Sequence, residues 1–191
     1  MKKVIALSLA CVMAFSLPVT AAGSPSAEAV VASTASETVD GIPASVATAA
    51  ASEGKTVGEY MNNAVVSVPG LEEATPLAQG GHIILNGAPS NVTFNLGKPA
   101  ATAVKAAKEQ AAALGGKVLN VVEVKSSIGK FSTARVNYYM KGIKAGQVVK
   151  VYQLVNGSWV ELTVAEIRED HVVVDMTSLG TLAFVEIPAA N

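Results

Sequence analysis

Residues 148–167 read VVKVYQLVNGSWVELTVAEI, and this stretch decides the fold because its pattern is that of a β-hairpin. Asn156-Gly157 lies between two runs in which apolar and polar residues alternate. An Asn-Gly pair favours a two-residue turn with positive φ at both positions, and such a turn joins antiparallel strands. The stretch therefore predicts two paired strands over 148–155 and 159–167.

Similar runs of β-forming residues lie on both sides of this hairpin. They predict further strands over 82–85, 91–96, 117–125, 131–140, 171–176 and 182–187, with a loop over 86–90. Short strands at this spacing are typical of a sandwich of two antiparallel sheets, so we expect a mainly β fold of that kind. The order strand, helix, strand over 91–125 leaves one alternative open, an α+β fold with helices packed on a single sheet.

Two segments have the residue spacing of helices. Over 99–114 apolar residues recur on one face, Pro99 suits the first turn, and Gly115 follows the last turn. Near the start of the domain, Thr56 and Glu59 have the spacing of a capping box, and the residues after them predict a short helix over 57–66. The long segment is mostly alanine on its apolar face, and we interpret it as an amphipathic packing helix.

The first 22 residues predict a cleaved signal peptide. Two lysines precede an apolar run over 4–17, and small residues follow at the spacing that signal peptidase requires. Cleavage after Ala21 or after Ala22 fits equally well. The apolar run of about 14 residues is too short to cross a bilayer as a helix, and no later stretch is long enough. We therefore expect a secreted, extracellular protein with no membrane span in the mature chain.

The mature chain divides into a linker and one domain. Residues 23–55 are rich in Ala, Ser and Thr and contain no aromatic residue, so we interpret them as a disordered linker that forms at most a transient helix around 44–51. A single β-rich domain is expected over 56–191. The only cysteine, Cys11, lies in the signal peptide, so no disulfide can stabilise that domain.

The net charge bears on the class of partner. Removing the signal peptide changes the formal net charge from -1 to -3, and the chain has no basic patch, so we expect no nucleic-acid partner.

The residues that usually carry chemistry do not form a recognisable motif. The two histidines, His82 and His171, are far apart in the sequence, and Asp170 beside His171 would point to the opposite face of a strand. No G-x-S-x-G motif and no zinc-ligand spacing occurs, so we assign no catalytic residue, no metal and no cofactor.

Two sets of carboxylates are also candidates. Glu169, Asp170 and Asp175 are considered for calcium binding, and Glu123, Glu161, Glu166 and Asp175 for glycoside cleavage. Solvated charges on turns and strands explain both sets more simply.

Aromatic residues are the candidate ligand-binding residues. Tyr139 alternates with Tyr138 on a predicted strand, so one of the two points away from the core. Tyr152 and Trp159 flank the Asn156-Gly157 turn on neighbouring strands, where an aromatic pair could stack on a sugar or contact a partner. A tryptophan packed between two sheets is the simpler interpretation of Trp159.

The closing strands also resemble a known kind of domain. The resemblance rests on four motifs, GQVVKVY at 146–152, NGSWVEL at 156–162, VVVD at 172–175 and SLGTLAFV at 178–185. Over 136–187 the chain resembles bacterial and archaeal cell-surface sandwich modules, and is similar to ZU5-like and PGF-pre-PGF domains. Their usual Ser-Pro before the last strand is replaced by Leu179-Gly180-Thr181. The resemblance implies an extracellular structural or interaction module with no catalytic residues.

These observations give three hypotheses for function. The first is a secreted or surface-associated, non-catalytic module with a structural, adhesive or interaction role, whose partner is an extracellular protein or a glycan. The second is a carbohydrate-binding module that uses exposed Tyr and Trp side chains. The third is a small carboxylate-dependent hydrolase.

Overall fold

The computed structural model describes residues 44–188, and more of them lie in β-strands than in helices. Three helices occur, α1 at Ala44–Ser52, α2 at Val57–Met61 and α3 at Ala101–Ala113. The strands are β1 Ala64–Val65, β2 Leu77–Gln79, β3 Ile83–Leu85, β4 Ala88–Ser90, β5 Asn95–Gly97, β6 Lys117–Lys125, β7 Ala134–Met140, β8 Val148–Val155, β9 Ser158–Arg168, β10 His171–Met176 and β11 Gly180–Ile187. The fold is therefore mainly β with few helices. The signal peptide and residues 23–43 of the linker lie outside the described residues.

The strands form one large antiparallel sheet that is nearly closed into a barrel. Their order is β1-β2-β7-β10-β9-β8-β11-β6-β5, and the β3–β4 hairpin is attached to β7. The expected two-sheet sandwich is not confirmed, because β9 pairs with β10 along one edge and with β8 along the other. The hydrogen-bonded path therefore continues through β9 instead of ending in two separate sheets.

The core fills the inside of this sheet. Alternate residues of β7 are buried, and Tyr138 meets Phe184 of β11 edge-to-face, with ring centroids 5.1 Å apart. The Tyr138 hydroxyl donates only to the sulfur of Met176, at 3.3 Å, and burial raises the pKa of Tyr138. Helix α3 packs on the outside over β6 and β11, with its alanines inward, as the apolar face predicted.

Side chains close the gap between the two ends of the strand path. Strand β5 pairs with β6 on one side only. On its other side, the amide of Asn63 donates to the carbonyl oxygen of Phe94 at 2.8 Å and accepts from the N–H of Leu96 at 2.8 Å. Gln79 accepts from the N–H of Phe94, and Lys55 donates to the carbonyl of Leu96. The backbone groups of this edge are thus paired without a neighbouring strand.

A third side-chain amide joins β6 to β1 next to this edge. Asn120 of β6 is fully buried, and its amide nitrogen donates to the carbonyl oxygens of Val65 at 3.3 Å and Thr75 at 2.6 Å. Strand β1 is thereby tied to β6 by a side chain. We call the side chains of Asn63, Gln79 and Asn120 the amide seam.

Several predicted boundaries differ from the structure. The strand predicted over 91–96 begins only at Asn95, the strand predicted over 131–140 begins at Ala134, and the helix predicted over 99–114 begins at Ala101. The helix predicted over 57–66 is wrong beyond Met61, because Asn63 takes a φ of 48° and turns the chain into β1. The loop predicted over 86–90 contains strand β4, since Asn86-Gly87 forms a two-residue turn with positive φ. Within the predicted linker, residues 44–52 form α1, and Ala50 is buried.

Candidate functional site

The β8–β9 hairpin has the geometry that the sequence predicts. Asn156 and Gly157 have φ values of 50° and 82°, and Val155 pairs with Ser158 directly across the turn. Two-residue turns of this handedness match the twist of the flanking strands. We call residues 154–160 the hairpin tip.

Apolar side chains emerge on both faces of the hairpin tip. Val155 and Val160 lie on the face that carries buried Gln153 further down the hairpin, yet they are 39% and 49% exposed. Leu154 and Trp159 form a cross-strand pair on the other face, and both are half-buried. No charged residue occurs over 151–160. The hairpin tip is therefore an uncharged, partly exposed apolar surface.

Trp159 lies on the outer side of the sheet and not in the interior. Its indole Nε1 is buried and has no hydrogen-bond acceptor among the described residues. Just below it on the same face, the paired side chains of Lys150 and Glu161 lie 3.1 Å apart. The interpretation of Trp159 as a residue packed between two sheets does not describe this position, although its ring packs against the edge of the core.

Tyr152 points to the same outer face as Trp159 but is covered. It is 4% exposed, and its hydroxyl lies 3.4 Å from a carboxylate oxygen of Glu161. Burial and the charge of Glu161 together raise the pKa of Tyr152. A side chain this well covered offers a ligand almost no surface.

Tyr139 lies in another part of the sheet. It sits on β7, and β10 separates that strand from β9. Its ring meets His171 edge-to-face at 5.3 Å, and its hydroxyl donates to Asp170 at 3.4 Å. The structure therefore does not bring Tyr139, Tyr152 and Trp159 together into one stacking platform.

The two histidines are also apart. His82 is exposed just before β3, whereas Nδ1 of His171 lies 2.8 Å from the carbonyl oxygen of Glu169. The carboxylate of Asp170 instead accepts from the N–H of Gly142 at 2.6 Å. Within residues 44–188, no three His, Cys, Asp or Glu side chains lie close enough together to hold a metal ion.

The carboxylates considered for catalysis mostly face cations. The pairs are Glu123 with Lys125 at 3.1 Å, Glu161 with Lys150 at 3.1 Å, and Asp175 with Arg135 at 2.7 Å. Arg135 donates two hydrogen bonds to Asp175 and holds the pKa of that carboxyl below its ordinary value. A cation partner stabilises the ionised form of Asp175. All three carboxylates are paired with cations, which fits a structural role.

A charged cleft of about 220 Å³ lies where α1 meets β5 and β6, and sequence reasoning missed it. Its lining side chains come from Ser52, Glu53, Asn95, Lys98, Glu123 and Lys125. Lys98 reaches past the cleft to the buried carboxylate of Glu59 at 3.5 Å. These residues come from distant parts of the chain, so no local pattern could have indicated the cleft.

No family model matches the chain, and neither a curated protein nor a solved structure matches it. The structure adds one negative finding of its own. Among the described residues, no helix has the length and apolar character that a membrane crossing requires.

Proposed function

We propose that this protein works outside the cytoplasm as a non-catalytic interaction module, and that the hairpin tip contacts its partner. The partner is an extracellular protein or a glycan. One observation carries the proposal: Val155 and Val160 remain exposed on one face of the hairpin tip, in a segment without charge, and Trp159 is half-buried on the other face. Clustered apolar and aromatic side chains of this kind mark interaction sites. The resemblance of residues 136–187 to cell-surface modules agrees with this role.

A matched pair of valines tests the hairpin tip. Val160 and Val148 are 49% and 42% exposed, and Val148 lies at the opposite end of the same hairpin. We expect Val160→Glu to reduce binding of the purified mature chain to the surface of the cells that secrete it, by about tenfold for a contact worth about 1.4 kcal/mol. Val148→Glu should bind like the wild type. Equal binding by both variants, or no binding by the wild type, would contradict the proposal.

Carbohydrate binding remains a second candidate because of Trp159 alone. Its side chain is half-buried on the outer face of the hairpin tip, and its buried indole N–H has no partner within the described part of the chain. The exposed part of an aromatic ring can stack on a sugar. Binding of the mature chain on a glycan array that Trp159→Ala abolishes would favour this candidate over a protein partner. A silent array would count against it.

Secretion is the other part of the proposal, and the predicted signal peptide supports it. The expected mature chain begins at Ala22 or Gly23. Mass measurement of the protein recovered from the culture medium checks this expectation directly. A full-length chain that stays in the cytoplasm would contradict it.

A further inference from the structure

The chain contains two Asn-Gly pairs, and both lie in two-residue hairpin turns. Asn86 and Gly87 have φ values of 51° and 85°, and Asn156 and Gly157 have φ values of 50° and 82°. All four residues are exposed. The two turns therefore form a matched pair within one molecule, with the same dipeptide in the same backbone conformation.

The side chains of Asn86 and Asn156 differ in their hydrogen bonds. The side-chain oxygen of Asn86 accepts from the N–H and the hydroxyl of Ser132, at 2.9 and 2.8 Å, and from the N–H of Thr133 at 3.2 Å. The side chain of Asn156 makes no hydrogen bond to any residue of the described range. One carboxamide is held against a neighbouring loop, and the other is free to rotate.

We propose that Asn156 is a site of spontaneous deamidation and that Asn86 is protected from the same reaction. The amide nitrogen of Gly157 loses its proton and attacks the side-chain carbonyl carbon of Asn156. A new carbon–nitrogen bond forms, the bond to the side-chain nitrogen breaks, and ammonia leaves with a succinimide as product. Water then opens the ring to aspartate or isoaspartate. Glycine at the second position leaves the attacking nitrogen unhindered, and a rotating carboxamide can reach it.

The product changes the hairpin tip. A carboxylate appears in the middle of a segment that carries no charge over 151–160, next to exposed Val155. Placing a charge against an apolar contact costs desolvation energy, so the modified tip binds its partner less well. This consequence rests on the proposed function, whereas the deamidation itself does not. Asn156 thus limits the time for which the tip can bind.

Ageing the mature protein at mildly alkaline pH tests the chemical step. Peptide mapping by mass spectrometry measures deamidation at both sites in the same sample. We expect Asn156 to react at least about fivefold faster than Asn86, which corresponds to about 1 kcal/mol for freeing a hydrogen-bonded side chain. In denaturant the two rates should become similar, because the local dipeptide is the same. Equal rates in the native protein, or a faster reaction at Asn86, would overturn the proposal.

Two variants separate the parts of the proposal. Ser132→Ala removes one of the bonds to Asn86, and it should speed deamidation there without changing the rate at Asn156. Asn156→Asp places the charge directly, and it should weaken binding to the producing cells as much as ageing does. If Asn156 deamidates but Asn156→Asp binds like the wild type, the site stands and its effect on binding is refuted. If the fresh protein binds nothing, the proposed function fails, while the two rates still decide the chemistry.

Discussion

The side chain of Glu59 connects the start of α2 to the segment after β1 and to Lys98. It is 1% exposed at the start of α2, where it completes the capping box with Thr56. Its carboxylate also accepts from the N–H groups of Val66 and Ser67, at 3.0 and 3.3 Å, and lies 3.5 Å from the ammonium of Lys98. The capping box predicted from the sequence is therefore also the anchor of the chain that follows β1.

The surroundings of Glu59 set the direction of its pKa. Burial by itself raises the pKa, but the backbone donors Thr56, Val66 and Ser67 and the charge of Lys98 outweigh burial. The net result is a pKa below the ordinary value of 4.5. A carboxyl with a lowered folded-state pKa adds stability that is fully present above the unfolded pKa, and that stability is lost as the pH falls through the folded pKa.

We expect Glu59→Gln to lower the free energy of unfolding at pH 7 by about 1–3 kcal/mol, because the amide keeps the shape but loses the charge. The difference from the wild type should shrink as the pH is lowered below 4.5, where Glu59 becomes protonated. Urea unfolding at several pH values measures both effects. Glu109 is exposed on α3, and Glu109→Gln serves as the control with little change. A difference that does not shrink as the pH falls below 4.5 would refute this account of Glu59.

At the scale of the element, α3 is positioned by its C-terminal end. Gly115 takes a φ of 66°, and the N–H of Gly116 donates to the carbonyl of Ala111, so the helix ends in a left-handed cap at the glycine that follows its last predicted turn. A Cβ on Gly116 would lie 2.5 Å from the carbonyl oxygen of Glu186 in β11. The absence of a side chain at this point lets the chain pass directly against the sheet.

Gly116→Ala should therefore destabilise the protein by about 1–3 kcal/mol, the range for forcing an extra methyl group into a packed site. The clash involves backbone, which cannot rotate away as a side chain can. Gly129→Ala is the matched control, since a Cβ there meets no atom within 4 Å. Thermal unfolding of the two variants measures the difference. Equal midpoints would show that the segment between α3 and β6 does not pass close to β11 at Gly116.

At the scale of the whole molecule, the sheet protects the open edges of β4 and β5. Strand β4 is the outer strand of the β3–β4 hairpin, and Pro89 at its centre has no N–H to offer another strand. Strand β5 has its open backbone groups taken by Asn63, Gln79 and Lys55. Edge strands without such protection tend to pair with other chains, so these features disfavour edge-to-edge pairing at β4 and β5.

Asn63→Gly tests the amide seam, because glycine tolerates the φ of 48° while removing the amide. We expect the free energy of unfolding to fall by about 1–3 kcal/mol, since the N–H of Leu96 and the carbonyl of Phe94 lose their partners. Hydrogen exchange at the amide of Leu96 should become faster. Asn62→Ala removes only a bond to Gly58 within α2 and should have a smaller effect. Unchanged exchange at Leu96 would mean that the barrel is closed by other contacts.

Much of the β structure could be read from local patterns. Strands β6, β8 and β10 have the bounds that the alternation predicted, and the Asn156-Gly157 turn and the end of α3 follow from turn and cap chemistry. Each of these features depends on residues within a few positions of one another. The short strands β1, β2 and β4 were missed because two or three residues are too few to show a period.

The sequence by itself determined the mainly β character, the central hairpin, the capping box and the helix that covers the sheet. Only the tertiary structure decided that the sheet nearly closes into a barrel, that Tyr152 is covered while the hairpin tip is not, and that a charged cleft forms beside α1. The reason is sequence distance. Asn63 and Phe94 are 31 positions apart, and Asn120 and Val65 are 55 apart, so their pairing leaves no trace in any local pattern.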